Sequence, residues 1–531
     1  QQQPSSSSSS SSQADTQEEE GIFYDAVEDE EEEEEAMNTT TFAVPSTTTI
    51  SDEEDTTDDS SVSGTTHQPA SWSITLVIPW LERPADRVEL YGADWADATR
   101  HDQEAVIRTW LRDTAQQPGA AQHLQMAWYR ARYYPVYRSI FPAQDVCQVL
   151  EQLVPERSTT TTANTRNKVP HDDPDCPVCI LEEPEHLLLY RTLRQKPDTH
   201  PFQGMYTLGI LHTNYKSYAA QGALGLLSEM VAQSLCATVA AAYTDKLIKL
   251  SATLQTYAPH KETVCNVHGI RQDFLDTPAP TGQGIYFIGK LLWAKGLDKL
   301  LTFQRMYSKH KQKQQSGSGR NNNSGPQQYF AMDIYGSGPD QEEIEAAFCG
   351  RKKRPLPVRF CGRADHAAIG PDYKIFVNPS VTEVLCTTSA EALAMNKFVI
   401  MPEHPSNAFF EAFPNALLYK TPQEFCSLLL YAQSHDPVPL GEDLRHALSW
   451  QAATDRLMDA AAMSPREAAR IDRMRAVRDN KCYEWHAGVC GGRFGKTIQK
   501  SFFGVFEEDE DESATAPSGG GGGGSSSEDG Q

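Results

Sequence analysis

Two successive series of short apolar runs, each closed by turn residues and followed by a helix-length stretch, constrain this chain most. The first holds "ITLVIPW" (74–80), "VCILEE" (178–183), "YTLGILHT" (206–213), "KLIKLSA" (246–252) and "TVCNVHG" (263–269), with an Ala/Leu-rich helix over 216–243. The pattern restarts at 284 with "GIYFIGK", a helix over 296–309, "YFAMDIYG" (329–336), a helix over 339–348 and "VRFCG" (358–362). It continues with "KIFVNPS" (374–380), a helix over 388–395, "KFVIMPE" (397–403) and "ALLYK" (416–420). Short apolar runs alternating with helices read as parallel strands with helices on their faces. The expected fold is therefore α/β, with two Rossmann-like domains facing a cleft and a ligand site at the carboxyl ends of the strands.

The expected boundaries are 71–275 for the first domain, 276–440 for the second and 441–506 for closing helices, whose pattern is clear as far as 475. Residues 1–70 and 507–531 are rich in Ser, Thr, Gly, Gln and acids, which cannot bury a core, and read as disordered acidic tails. Residues 1–66 carry 19 acidic side chains and 507–531 carry eight, with no Lys or Arg in either, so the formal charge of −25 belongs to the tails. The body is close to neutral, which argues against a nucleic-acid partner.

No run of 18 apolar residues occurs, so no stretch reads as a membrane-spanning helix. The acidic N-terminus has neither the Arg-rich character of a transit peptide nor the apolar core of a signal peptide, and it does not begin with Met. Eleven cysteines scattered over the chain fit reduced thiols. Cys176 and Cys179 have CxxC spacing with no second pair following, so burial beside a strand outweighs metal binding.

The chemistry concentrates in "VTEVLCTTSAEALAMNKFVIMPEHPSN" (381–407). A helix starting near Thr387 leaves unpaired N–H groups and a partial positive charge where a pyrophosphate can sit. Glu383 then lies on the loop beside a sugar and Glu391 one turn into the helix, facing a ribose, whose hydroxyls a carboxylate receives well. Thr388-Ser389-Ala390-Glu391 also reads as a capping box, in which Glu391 only reaches back to the helix start. In "GKLLWAKG", Lys290 follows a strand and Lys295 precedes Gly296, placing two ammonium groups at the strand end, where solvated surface charge is the competing reading. Gly336 and Gly338 form a strand-to-helix turn that permits close backbone approach. On the first domain, His212, Asn266, His268 and Gly269 lie at strand ends, where a histidine is commonly structural unless it faces a cleft.

These pieces, in this order, resemble GT-B retaining glycosyltransferases of family 4. The wording of "CPVCILEEPEHLLLY", "GILHTNY", "VCNVHGI", "FIGKLLWAKG", "DIYGSGPD", "FVNPSVTEVLCTTSAEALAMNKFV" and "HPSNAFFEAFPNALLYKT" resembles the plastid galactolipid galactosyltransferases, the digalactosyldiacylglycerol synthases. "ARYYPVYRSIFPAQDV" (131–146) resembles an early block of the same enzymes, and the resemblance covers roughly 72–460. It implies transfer of galactose from UDP-galactose onto monogalactosyldiacylglycerol at the plastid (chloroplast) envelope, at its outer membrane, with no metal and no further cofactor. It also implies roles: Lys290 and Lys295 as the diphosphate pair, Glu391 on the ribose, Glu383 on the transferred sugar, and His212 at the donor. Two positions depart from the wider family, Lys290 where Arg is usual and Cys386 where Gly is usual. Lysine keeps the charge but loses bidentate geometry.

A lipid acceptor requires a membrane surface. Residues 126–141 interleave Trp128, Tyr133, Tyr134 and other aromatics with Arg130, Arg132 and Arg138, a mixture suited to the headgroup layer, against the competing reading of a partly buried strand and loop. Trp80, at the end of the first strand, is a candidate to stack on the acceptor galactose. The competing functions keep the fold but change the donor to UDP-glucose or the acceptor to another lipid or sugar, or retain binding without catalysis.

Overall fold

The computed structural model describes residues 40–41, 73–135, 139–153, 176–189, 191, 200–202, 205–213, 225–316, 328–350 and 355–490. The tails apart from 40–41, the Thr-rich insert 157–171 and most of the polar insert 311–328 lie outside them, as does Arg138. Among the described residues, fourteen strands form two sheets.

The first sheet has the order β4-β3-β2-β1-β5-β6-β7-β8. It contains β1 (Thr40–Thr41), β2 (Thr75–Leu81), β3 (Gln125–Tyr134), β4 (Ser139–Pro142), β5 (Val178–Glu182), β6 (Tyr206–Leu211), β7 (Lys246–Lys249) and β8 (Glu262–Val264). β2 runs parallel to β3, and β5 to β8 are mutually parallel. β1 is antiparallel to both β2 and β5, so those two strands share a direction and their carboxyl ends lie along one edge. The second sheet, β11-β10-β9-β12-β13-β14, is parallel throughout. Its strands are β9 (Gly284–Ile288), β10 (Met332–Tyr335), β11 (Val358–Gly362), β12 (Tyr373–Val377), β13 (Phe398–Pro402) and β14 (Ala416–Tyr419).

Alternation along the strands of the second sheet divides its core in two. Ile285, Phe287, Ile375, Val377, Phe398 and Ile400 join one cluster, while Tyr286, Phe376, Val399 and Met401 join another on the opposite face. Both faces are covered, which is why these strands read as continuous apolar runs.

Three of the expected stretches take a definite place in the fold. The aromatic and arginine run at 126–134 is strand β3 inside the first sheet, hydrogen-bonded on both sides, with Tyr129 and Ala131 fully buried. Aromatic side chains suit a pleated surface as well as a headgroup layer; the core takes Tyr129, while Trp128, Tyr133 and Tyr134 stay partly exposed. Trp80 lies within β2, and the guanidinium of Arg87 sits 5.0 Å from its ring centroid, covering one face. The closing helices also run beyond 475 to Cys490. They return to the first unit: Tyr206 Oη donates to Ala461 O (2.6 Å), Lys246 Nζ to Ala462 O (2.7 Å) and Lys261 Nζ to Asp479 Oδ2 (3.0 Å).

Cys176 and Cys179 are buried beside β5, and every cysteine is a free thiol. Among the described residues no helix is long and apolar enough to cross a membrane, and no cluster of three His, Cys, Asp or Glu side chains is placed to hold a metal ion.

Candidate active site

The loops leaving β9, β10 and β12, which are neighbours in the second sheet, are strapped to one another. Leu291 N donates to Ser337 O (2.9 Å), Asp340 N to Leu291 O (3.2 Å), and Trp293 N to Asp340 Oδ2 (2.7 Å). On the other side Thr382 Oγ1 donates to Ala294 O (3.1 Å), and Gly296, at φ +79, lies so close to Pro379 that a Cβ would stand 2.6 Å from its carbonyl oxygen. These contacts fix Lys290, Lys295 and Glu383 at one sheet edge. Gly336 and Gly338 serve the same purpose: a Cβ on Gly336 would meet Gly289 O at 1.8 Å, and one on Gly338 would meet Leu291 O at 2.6 Å. The glycines admit the chain's own Lys290 loop, and Gly336 remains the candidate for close approach of the donor's diphosphate.

Lys295 Nζ is 2.9 Å from Glu383 Oε1, an ion pair with 30% and 17% of the side chains exposed. The two residues assigned to diphosphate and sugar therefore neutralise each other in this structure. Lys290, on the same loop as Lys295, is half-buried and makes no ion pair among the described residues.

The helix Thr387–Ala394 begins where Asn378, at the end of β12, donates through Nδ2 to Ser389 Oγ (3.1 Å) and locks strand end to helix start. Cys386 occupies the N-cap position, and no side chain caps the helix, so its positive end stays available beside Thr387. Burial pushes the Cys386 thiol up to about 11, with the charge of Glu383 adding to it, so a neutral thiol fills the place where glycine is usual. The capping box does not form. Glu391 instead meets His366, whose Nδ1 lies 2.7 Å from Glu391 Oε2.

From the first unit, His212 follows β6 and pairs through Nε2 with Glu182 at the end of β5. Burial alone would lower the pKa of this imidazole, but the charge and hydrogen bond of Glu182 outweigh it and leave the pKa raised. Thr213 donates to Glu183, which holds a left-handed backbone at φ +54. Strain of this kind persists where surrounding structure over-determines it. Between the units, His268 is pushed down to about 4, first by burial and then by the positive charge of His212, against the opposing pull of Glu391. His268 lies in the segment that leads from the last strand of the first unit to the first strand of the second. Arg456 clamps this crossing by donating to Asn266 O (2.6 Å) and His268 O (3.3 Å), and Trp450 passes so close to Gly269 that a Cβ would lie 2.5 Å from its Cα.

The remaining candidates sit on the first unit. Trp80 at the end of β2 and Tyr133 and Tyr134 at the end of β3 share the carboxyl edge with Glu182 and His212. Trp128 lies farther down β3, half-buried, its Nε1 donating to Gln103 Oε1 (2.9 Å). Sequence reasoning passed over Glu182, His366 and Arg363. Adjacent acids at a strand end signalled the first, and an arginine just past a strand signalled the last, whose Nε donates to Ser337 Oγ (2.6 Å). Nothing local signalled His366.

Two cavities lie away from these residues. A cavity of about 20 Å³ is lined by His200, Tyr243, Asp245 and Arg475, and an open groove of about 440 Å³ by Gln233, Tyr257 and Arg478. Neither touches Lys290, Glu383 or Glu391. The converging charges and strand ends identify the site better than cavity size does, since doubly wound sheets bind ligands in an open crevice.

Comparison with known proteins finds no matching family model. Curated relatives include digalactosyldiacylglycerol synthase 1, chloroplastic, of Arabidopsis thaliana, 35% identical over 402 residues that cover 73% of this chain and 44% of that protein. Digalactosyldiacylglycerol synthase 2, chloroplastic, of Lotus japonicus is 32% identical over 416 residues, covering 76% of this chain and 79% of that protein. The chain thus spans less than half the length of the synthase 1 relatives. Similar solved structures include S. aureus TarM (TM-score 0.39, 15% identity, 63% of this chain and 61% of that chain). Anabaena HepE in complex with UDP and glucose is another (TM-score 0.35, 12% identity, 78% of this chain and 99% of that chain).

Proposed function

Because the chain belongs to the digalactosyldiacylglycerol synthase family, we propose that it transfers galactose from UDP-galactose to the sugar of monogalactosyldiacylglycerol, with retention of configuration. The observation that supports this reading is the strapping of the β9 and β12 loops, which brings Lys295 against Glu383 at the carboxyl edge of the second sheet, with Lys290 on the first of those loops. In the reaction the leaving diphosphate gains negative charge. Lys290, Lys295 and the uncapped helix start near Thr387 are preorganised to receive it, an arrangement that lowers barriers by several kcal/mol. Donor binding exchanges the Lys295–Glu383 contact for a Lys295–phosphate contact. That exchange releases the Glu383 carboxylate to orient the galactose and stabilise positive charge on its ring, while the acceptor hydroxyl attacks from the face the leaving group vacates. Glu391 receives the ribose hydroxyls, and His212, held by Glu182, meets the donor sugar from the other wall.

The reaction proceeds without a divalent ion, and turnover in excess EDTA matches turnover in magnesium; loss of activity in EDTA refutes this. The acceptor arrives from the plastid envelope, at its outer membrane, with the chain bound peripherally. The β3–β4 hairpin carrying Tyr133 and Tyr134 supports contact there, since it rises from the strand edge that holds His212. Flotation with galactolipid vesicles checks this: Tyr134→Ser combined with Arg138→Ser weakens binding, and unchanged flotation rejects it.

Incubation with labelled UDP-galactose and monogalactosyldiacylglycerol, beside UDP-glucose, tests the whole reading. A digalactosyl product from UDP-galactose alone is expected. Product from UDP-glucose changes the donor, and binding without product leaves a catalytically silent lipid- or nucleotide-sugar-binding protein.

A further inference from the structure

Behind Glu391 stands a buried chain of polar groups that belongs to no motif in the sequence. Tyr286, on β9, places its Oη 2.7 Å from His366 Nε2, and His366 Nδ1 is 2.7 Å from Glu391 Oε2. Tyr286 is fully buried and His366 is 5% exposed, with the rings of Phe274 and Phe376 against the imidazole at 5.7 and 5.9 Å between centroids. Glu391 keeps 20% of its side chain exposed. The chain therefore runs from the core of the second sheet to the cleft.

We propose that His366 is a positioning residue for nucleotide binding, holding the Glu391 carboxylate, through an imidazole anchored by Tyr286, in the orientation that receives the ribose hydroxyls. The inference rests on the ribose role given to Glu391 above. An ionised carboxylate only accepts, so the proton on the imidazole sits at Nδ1 and Nε2 is left to accept from the Tyr286 hydroxyl. That is the one neutral tautomer in which both bonds are made. Burial pushes the imidazole pKa below its ordinary value against the pull of Glu391, and the ammonium of Lys397, 4.8 Å from the Tyr286 ring centroid, pushes the same way. With one oxygen held by His366, the carboxylate enters binding already oriented, and its remaining lone pairs are available to a ribose. Preorganisation of this kind raises affinity by removing an ordering cost, and a second layer of hydrogen bonds is its usual means. The same bond explains why Glu391 does not cap its own helix.

The test is calorimetric titration of the full chain with UDP and with 2′,3′-dideoxy-UDP. His366→Phe should weaken UDP about tenfold while barely changing the dideoxy compound, and His366→Asn, which keeps an N–H near the position of Nδ1, should recover most of the loss. In turnover, KM for the donor should rise with kcat nearly constant. The double variant His366→Phe/Glu391→Gln should bind no worse than Glu391→Gln alone, because the two act through one contact. UDP binding by His366→Phe within twofold of the parent chain overturns the proposal, as does strict additivity in the double variant. Should His366→Phe fail to fold, Tyr286→Phe, which removes one oxygen and frees the imidazole to change tautomer, carries the test: UDP weakened severalfold supports it and unchanged binding overturns it. If Glu391→Gln itself keeps full preference for UDP over the dideoxy compound, the ribose role has failed and the positioning role falls with it. If Glu391→Gln loses that preference while His366→Phe keeps it, only the positioning role falls.

Discussion

Replacing Gly336 with alanine probes how the site is held in shape. The residue sits at φ +131, and the added Cβ would lie 1.8 Å from Gly289 O, where real Cβ atoms keep at least 3.0 Å. Backbone in a region that side chains avoid costs roughly 1–3 kcal/mol. The clash adds to this, because the loop bearing Lys290 has to retreat by about 1.2 Å to restore contact distance. Gly362, at φ +73 with open space around its Cβ position, separates the two contributions. Gly362→Ala should show the backbone cost alone, while Gly336→Ala should lose a further 1–2 kcal/mol, read as a Tm lower by several degrees at roughly 2–4 °C per kcal/mol. Displacing Lys290 by about an ångström should also cut turnover about 100-fold, whereas Gly362→Ala keeps it. Calorimetric melting and initial rates with UDP-galactose measure both. If Gly336→Ala melts with Gly362→Ala and turns over within twofold of the parent, the loop-on-loop account of this site is wrong.

The other predictions concern charge. Glu383→Gln should reduce kcat far more than donor affinity, because its charge acts on the developing cation; equal losses in kcat and affinity sink that assignment. Lys295→Met removes one partner of a partly exposed ion pair, so it should change stability by less than about 1 kcal/mol, while removing a cation aimed at the leaving group should cost roughly 100-fold or more in kcat/KM. A stability loss with full activity would make the pair structural. His486 is fully buried, accepting from Tyr243 Oη at Nδ1 (2.9 Å), and burial pushes its pKa down to about 4 from 6.5. The unfolded chain binds this proton more readily, so stability falls as pH drops from 6.5 toward 4, by about 3 kcal/mol at 1.36 kcal/mol per unit. Urea unfolding between pH 7 and 4.5 should show this slope, His486→Gln should flatten it, and an identical slope in the variant contradicts the assignment.

The sequence by itself determined the elements and their order. Runs such as "GIYFIGK" and "KIFVNPS" are strands because local periodicity and turn residues encode them, and their placement at a parallel sheet's carboxyl edge follows from topology rules. Lys290, Lys295 and Glu383 were placed for the same reason, on the loops that leave β9 and β12, and Glu391 by the helix pattern that follows β12. Their partners were not. Lys295 meets Glu383 across 88 positions, Glu391 meets His366 across 25, and His212 meets Glu182 across 30. No local signal encodes such a pair. The aromatic run at 126–134 fits a strand and a membrane surface equally by composition, and the pairing of β3 with β2 and β4 is what shows the strand. Gly336 reads from the sequence as a position of close backbone approach, and the fold shows one group that approaches it, the Gly289 carbonyl. Periodicity is a property of neighbours in the chain. Which carboxylate is neutralised, which is held and which is left to a ligand depends on groups that only folding brings within hydrogen-bond reach.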